Sequence, residues 1–579
     1  MGYVVTLILA ALFAISCASS AQAPVPQQNQ LDLWYYHHSY LTNDEAVVKS
    51  KALIDKAAAA GYTGAVFWDT SFDFMGDAFW PIENQDRMKE VMKYARKKHL
   101  KTVALTGFVG WSNDLLSINP NWAEASRIVG AQFTVDASGR KLNLNNSFSG
   151  LANSSFEAGK SNWDTGDHDV NTTQNGRGGS FAATVVDAKA NSRLRQTITL
   201  KPWRQYHLSL WMKTAKFRGG PMVEVLDSNN AKMRFNASLP ANGDHAWTQL
   251  DYLFNSQDTT AADLYLGVWG GSSGIISFDD VVLEETAFVY LEHSAGAPFK
   301  LYDPANPATV YRQGADYNQV LDPDMHAPTR PAFHNVFHWP PTATLPAGTS
   351  LKPGQVVAAD FYAVFPMTMS TETSVCLTEP GFYKWMGENA KAVKRVLPPD
   401  SGILLGYDEI RQANSCYACR SRNLTAGQLL AWSIAKSTHI YQSVLPETPL
   451  FVWSDMFDPH HNAHDDYYYV EGDLAGSWKG LPAGVSIMNW NLDHLTKSLT
   501  WFSGLDPKQS VAHRQMIAGF YDKGVGEPEA LKEWKQAAGI PGITGMMYTT
   551  YVDDYSQLQS FATGAKAGWQ KYLASLAKR

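Results

Sequence analysis

Beyond the first 17 positions this 579-residue chain holds only three cysteines, Cys376, Cys416 and Cys419. It has no Lys/Arg run and no basic stripe, so nothing in it supports nucleic-acid binding. It lacks a second long apolar run, and the only one, residues 4–15, is too short to span a bilayer. A membrane span is therefore not expected. No Gly-rich phosphate loop is present, and no nucleophile elbow joining a strand to a helix. The net charge of −7 and the 45% hydrophobic share are ordinary and exclude no class.

Aromatic residues are abundant. They make up 12% of the chain, with 19 Trp and 26 Tyr. Aromatic faces cover the C–H faces of sugar rings as readily as they fill cores, so composition leaves carbohydrate binding and a large core equally open. Residues 4–15 have the length of a signal-peptide core, which predicts export to the periplasm, the outer membrane or the medium. Cleavage after Ala21-Gln22-Ala23 (a signal over 1–23) and lipid anchoring at Cys17 both remain open. In an exported chain a disulfide among Cys376, Cys416 and Cys419 is expected. A zinc reading of Cys416-x-x-Cys419 needs two more ligands, and no second paired motif supplies them.

At this length two or three domains are expected. Strand-like apolar segments begin near Leu31, Gly64, Lys101, Gly402, Pro449, Val485, Arg514 and Ile543, with helical patterns between most neighbours. Thr425 is a good helix N-cap. The spacing suits repeated βα units. The predicted fold class is α/β: a (β/α)8 TIM barrel with an all-β jelly-roll sandwich inserted in the third βα loop. Barrel halves are expected over 31–145 and 379–579. Between them stand a sandwich over 146–287, with short alternating strands between Gly, Asn, Asp and Ser clusters, and a β-rich excursion over 288–378.

The sharpest feature is Gly402-Ile-Leu-Leu-Gly-Tyr-Asp408-Glu409, an apolar strand that ends in two adjacent carboxylates. In parallel barrels chemistry gathers at the carboxyl ends of the strands. Adjacent acids can divide labour, one protonated and one ionised, although Asp-Glu also occurs at helix starts. Aromatic and polar side chains close the other predicted strands. They are His37 on the first, Trp68 and Asp69 on the second, Trp453 and Asp455 on the fifth, Asn489 and Trp490 on the sixth, Tyr521 and Asp522 on the seventh, and Tyr548 with Tyr551 on the eighth. Trp478 lies in the loop after the fifth. The loop bearing His460, His461 and His464 reads as solvated or substrate-lining, and no catalytic metal is expected.

With Asp408-Glu409 closing the fourth strand, the barrel segments resemble glycoside hydrolase family 20, the β-N-acetylhexosaminidases. That resemblance implies a secreted glycoside hydrolase in which Glu409 protonates the leaving oxygen. Asp408 would orient the substrate's 2-acetamido group for attack on the anomeric carbon. Tyr521 and Asp522 would bind the acetamido oxygen and sugar hydroxyls. The chain departs from the family in lacking an Arg at the end of the first strand, a His/Gly-rich run before the acid pair, and a preceding domain. Residues 151–159, 208–214 and 278–283 resemble carbohydrate-binding modules of families 4 and 9, and the closing Asp279-Asp280 pair offers oxygen ligands for a structural Ca²⁺. The implied partner is an oligosaccharide or glycan. Two alternatives stand beside the main reading: a two-carboxylate glycosidase on a sugar without an acetamido group, with Asp455 or Asp69 as the second acid, and a non-catalytic glycan-binding protein.

Overall fold

The computed structural model describes residues 28–578 except 78–79, 147, 149, 165, 168–169, 326–336, 365–372, 510 and 523–525. The export segment 1–23, with Cys17, lies outside the described residues. Among the described residues no helix is long and apolar enough to cross a membrane.

Eight parallel strands close into a barrel. In chain order they are Asp32–His38, Gly64–Trp68, Lys101–Thr106, Gly402–Leu405, Leu450–Trp453, Ser486–Asn489, Gln515–Ile517 and Ile543–Tyr548. Closure comes from the pairing of Tyr35 with Tyr548. These strands are buried on both faces, so their sequences are nearly continuous apolar runs. Local chemistry sets the flanking helices. Asn43 caps Asp44–Ala60 by accepting from the Ala46 N–H, and Gly61, at φ +84°, stops it in the left-handed region. Thr425 and Gln428 form a reciprocal capping box at the start of Ala426–Val444.

The expected fold class is overturned. The barrel is closed and all-parallel, but no regular helix stands between every pair of strands. In the fifth-to-sixth connection the only helical elements are two short 3-10 turns, Asp455–Phe457 and Ser477–Gly480. Helix accounts for about 25% of the chain, beside two extensive antiparallel sheets, so the α/β (β/α)8 description does not hold for the molecule.

Between the third and fourth barrel strands the chain builds these two sheets. Seven strands lie between Val170 and Thr286. The two longest, Gln205–Asp227 and Ala261–Thr286, pair with different neighbours in their two halves. Their irregular registers fall near Gly219-Gly220 and Gly270-Gly271, where missing side chains let the strands bend. The sheet thereby folds over a core that includes Leu208, Leu210, Val223, Val225, Leu264 and Phe278. The other sheet has five strands. In it Ser126–Val135, placed by the sequence with the first barrel half, pairs with Val356–Ala363 from the later excursion. Asp279 and Asp280, considered above for Ca²⁺, engage Arg177: its backbone N–H donates to Asp279 at 2.6 Å and its guanidinium pairs with Asp280 at 2.8 Å.

Candidate functional site

A strand's side chains alternate between its two faces, so residue parity decides what reaches the barrel's interior. Trp34 and Tyr36, Val66 and Trp68, Val103 and Leu105, Phe451 and Trp453, Met488 and Trp490 form one interior cluster. The alternating set, including Tyr35, Phe67, Ile403, Ile487 and Tyr548, belongs to the layer between barrel and helices. Near the carboxyl ends of the strands the interior opens into a cavity of about 590 Å³. Its walls are Tyr36, Trp68, Phe108, Trp111, Trp453, Trp490, Phe520 and Tyr551, and its acids are Asp73, Asp114, Asp408 and Glu409. Aromatic walls with a few convergent polar groups are the usual composition of a small-molecule site.

The acid pair sits on a constrained turn. Glu409 has φ +45°, a region costly for a residue with a side chain and one that persists where surrounding contacts enforce it. Its backbone N–H donates to Asp455 Oδ2 at 2.8 Å. The third strand's loop lies directly alongside, since a Cβ on Gly110 would come within 2.0 Å of the Asp408 carbonyl oxygen. From that loop the Trp111 indole N–H donates to Glu409 Oε2 at 3.0 Å. Arg411 pairs with Oε1 at 3.0 Å. Both oxygens of Glu409 are thus held by donors.

Asp455 lies fully buried behind the pair. It accepts from Glu409, from the Asn462 amide at 3.0 Å and from the Trp490 indole at 3.2 Å. Burial raises its pKa, against the lowering influence of nearby His461 and of these donors. Asp73, on the short helix after the second strand, accepts from the Thr106 hydroxyl at 2.7 Å and the Gly107 N–H at 2.9 Å. Burial nevertheless pushes it up to about 7. The phenol of Tyr36 is raised by burial, and further by neighbouring Tyr551 and the negative charge of Asp408.

Of the residues singled out from sequence, Asp408, Glu409, Trp68, Trp453, Trp490 and Tyr551 come together on the cavity. Asp455 backs it. Asp69 does not line it: its carboxylate accepts from the Ser39 hydroxyl and the Leu41 and Ser71 N–H groups, each at 2.9 Å, and so fastens the first and second strand ends. Asp522 accepts from the Thr550 hydroxyl at 2.6 Å and the Tyr551 N–H at 2.9 Å, and shapes the loop that presents Tyr551.

The others point elsewhere. His37, expected at the pocket, faces the first helix, with Tyr35 OH at 2.9 Å and Ser50 Oγ at 2.8 Å, and burial lowers its pKa to about 3. Asn489 donates to Ser498 Oγ at 2.8 Å within the buried layer. Tyr521 donates to Glu533 at 2.7 Å, and Tyr548 to the Asp554 carbonyl at 2.7 Å. Trp478 packs edge-on against Trp501 with ring centres 4.9 Å apart. The sequence reading missed Tyr36, Asp73, Phe108, Trp111 and Asp114. Strand parity would have found Tyr36, two residues after inward-facing Trp34; loop residues such as Trp111 carry no comparable signal.

No protein-family model matches the chain, and no curated protein matches it. Several solved structures are similar to this chain over about a quarter of its length. A family 16 carbohydrate-binding module is 20% identical over 23% of this chain and 97% of its own, with a TM-score of 0.20. A family 4 module is 17% identical over 24% and 99%, at 0.20. A family 61 module solved with β-1,4-galactotriose is 19% identical over 24% and 97%, at 0.19.

Proposed function

We propose that the barrel mouth binds a carbohydrate and hydrolyses its glycosidic bond. The observation that carries this reading is the Asp408-Glu409 pair facing an aromatic-walled cavity of about 590 Å³ at the carboxyl ends of a parallel barrel. Glycoside hydrolysis needs one carboxyl that holds a proton near neutrality and one that stays charged beside the oxocarbenium-like centre. Glu409, held by Arg411 and Trp111, suits the charged role. Asp73, raised to about 7, suits the proton-holding role that the sequence resemblance assigned to Glu409.

The finer proposal is an N-acetylhexosaminide substrate. Asp408 would orient the acetamido nitrogen, and the phenol beside it is Tyr551, because Tyr521 is committed to Glu533. A second reading, a glycan-binding platform without turnover, draws support from the engagement of both Glu409 oxygens by donors.

The test is release of 4-nitrophenol from a panel of aryl glycosides by wild type, Asp408→Asn and Glu409→Gln, with glycan binding followed by tryptophan fluorescence. Turnover lost in both variants supports hydrolysis. Loss in Asp408→Asn confined to acetamido sugars supports the finer proposal. Binding without turnover of any glycoside or oligosaccharide would establish the platform instead.

A further inference from the structure

The insertion leaves and re-enters the barrel at one narrow neck. Ala123 and Val375 form an antiparallel bridge. The Glu124 N–H donates to the Ser374 carbonyl at 2.8 Å, and the Cys376 N–H to the Trp122 carbonyl at 2.8 Å. Against this neck packs the loop that follows the acid pair, carrying Cys416 and Cys419. All three cysteines are buried thiols. The Cys376 sulfur lies 3.5 Å from that of Cys416 and 3.6 Å from that of Cys419. The Cys419 sulfur is also 3.5 Å from Glu124 Oε2. One ligand atom from each of the four residues fits within a 4.8 Å span.

We propose that Glu124, Cys376, Cys416 and Cys419 form a tetrahedral site for a divalent cation of the zinc class, which clasps the insertion's neck to the loop bearing Asp408 and Glu409. Bonds to sulfur of about 2.3 Å at tetrahedral angles place the sulfurs roughly 3.8 Å apart, close to the 3.5 and 3.6 Å separations seen here. A disulfide explains less. Its sulfurs lie about 2 Å apart, it would use two thiols, and it would leave the third thiol and a fully buried carboxylate without a purpose. Burying a carboxylate among three sulfurs is costly without a cation, and Glu124 is fully buried. The second shell is in place. The Ser415 and Cys416 N–H groups donate to Glu124 Oε1 at 2.7 and 2.9 Å, leaving Oε2 toward the sulfurs. The Cys419 N–H points at the Cys416 sulfur at 3.3 Å. Binding expels the thiol protons to solvent; the divalent cation offsets two of the ligands' negative charges, and the Ser415, Cys416 and Cys419 N–H groups donate toward the remainder. The two ligands that sequence could not supply for Cys416-x-x-Cys419 come from the two ends of the insertion, some 250 residues apart in the chain.

The test uses the full protein, purified without chelator or metal-affinity resin. Elemental mass spectrometry is expected to give about one zinc per chain. After stripping under reducing conditions, Co²⁺ is expected to restore one equivalent, with thiolate-to-cobalt charge-transfer absorption and tetrahedral d–d bands. Cys419→Ser and Glu124→Gln should weaken Co²⁺ binding at least 10-fold. The wild-type cobalt spectrum decides the matter if a variant fails to fold. An intact mass showing one disulfide in the native protein would overturn the proposal. So would three reactive thiols with neither metal content nor cobalt absorption.

Discussion

The two faces of the same eight strands end in equally polar, equally aromatic side chains, yet they do different work. On the inner face, Tyr36, Trp68, Trp453 and Trp490 converge with Asp408 and Glu409 on one cavity. On the outer face, His37, Asn489, Tyr521 and Tyr548 each find a partner in the helical layer or its loops and are spent on holding the barrel together. At a strand end residue type says little. Which way the pleat turns a side chain decides whether it lines the cavity or joins the scaffold.

That contrast is broken most severely if an inner-face acid proves dispensable. Glu409→Gln is expected to lower kcat by roughly 10³-fold or more, with the melting temperature nearly unchanged, since an amide keeps the contacts with Trp111 and removes the charge. Next comes Trp111→Phe, which deletes the indole donor to Glu409 Oε2. A lost hydrogen bond to a charged group is worth about 1.5–3 kcal/mol, so kcat/KM should fall roughly 10- to 100-fold. The outer face should respond in the opposite sense. Tyr521→Phe leaves buried Glu533 without its donor and is expected to cost about 1–3 kcal/mol of stability in urea unfolding, while kcat/KM stays within about twofold.

Two buried acids make the contrast pH-dependent. Asp73 is raised from 3.8 to about 7 and Glu533 from 4.5 to about 8. Each binds a proton more tightly folded than unfolded, so each contributes stability that is full below its unfolded pKa and is lost as pH rises through its folded value. Asp73→Asn should flatten stability between about pH 4 and 7 and remove the alkaline limb of the rate profile. Glu533→Gln, the mildest change, should flatten stability between about pH 4.5 and 8 and leave the rate profile intact.

Much of this was legible in the chain. Apolar runs of strand length, each ended by polar or aromatic residues, located all eight barrel strands, and the acid pair was found where the fourth strand stops. The regular alternation with helices was not, because the fifth-to-sixth connection is held by buried side chains, such as Ser477 Oγ donating to the Met456 carbonyl at 2.7 Å, and not by a helical repeat. Five- and seven-stranded sheets join segments far apart in sequence, so Ser126–Val135 carried no mark of its pairing with Val356–Ala363. At the site, assigning roles by strand end alone mixed the two faces. Asp73 and Asp114 sit on single-turn helices and Trp111 on a loop, none long enough for a periodicity to point inward. Glu409's character depended on Arg411, two residues away, whose guanidinium turns back onto it.

The central claim is that the inner face performs the reaction and the outer face does not. It is tested most directly by kcat/KM for Glu409→Gln and Tyr521→Phe side by side, on whichever aryl glycoside wild type cleaves best, at a temperature where both variants are folded. The account predicts near-complete loss in the first and near-wild-type turnover in the second. Comparable activity in both, or loss only in Tyr521→Phe, would contradict it.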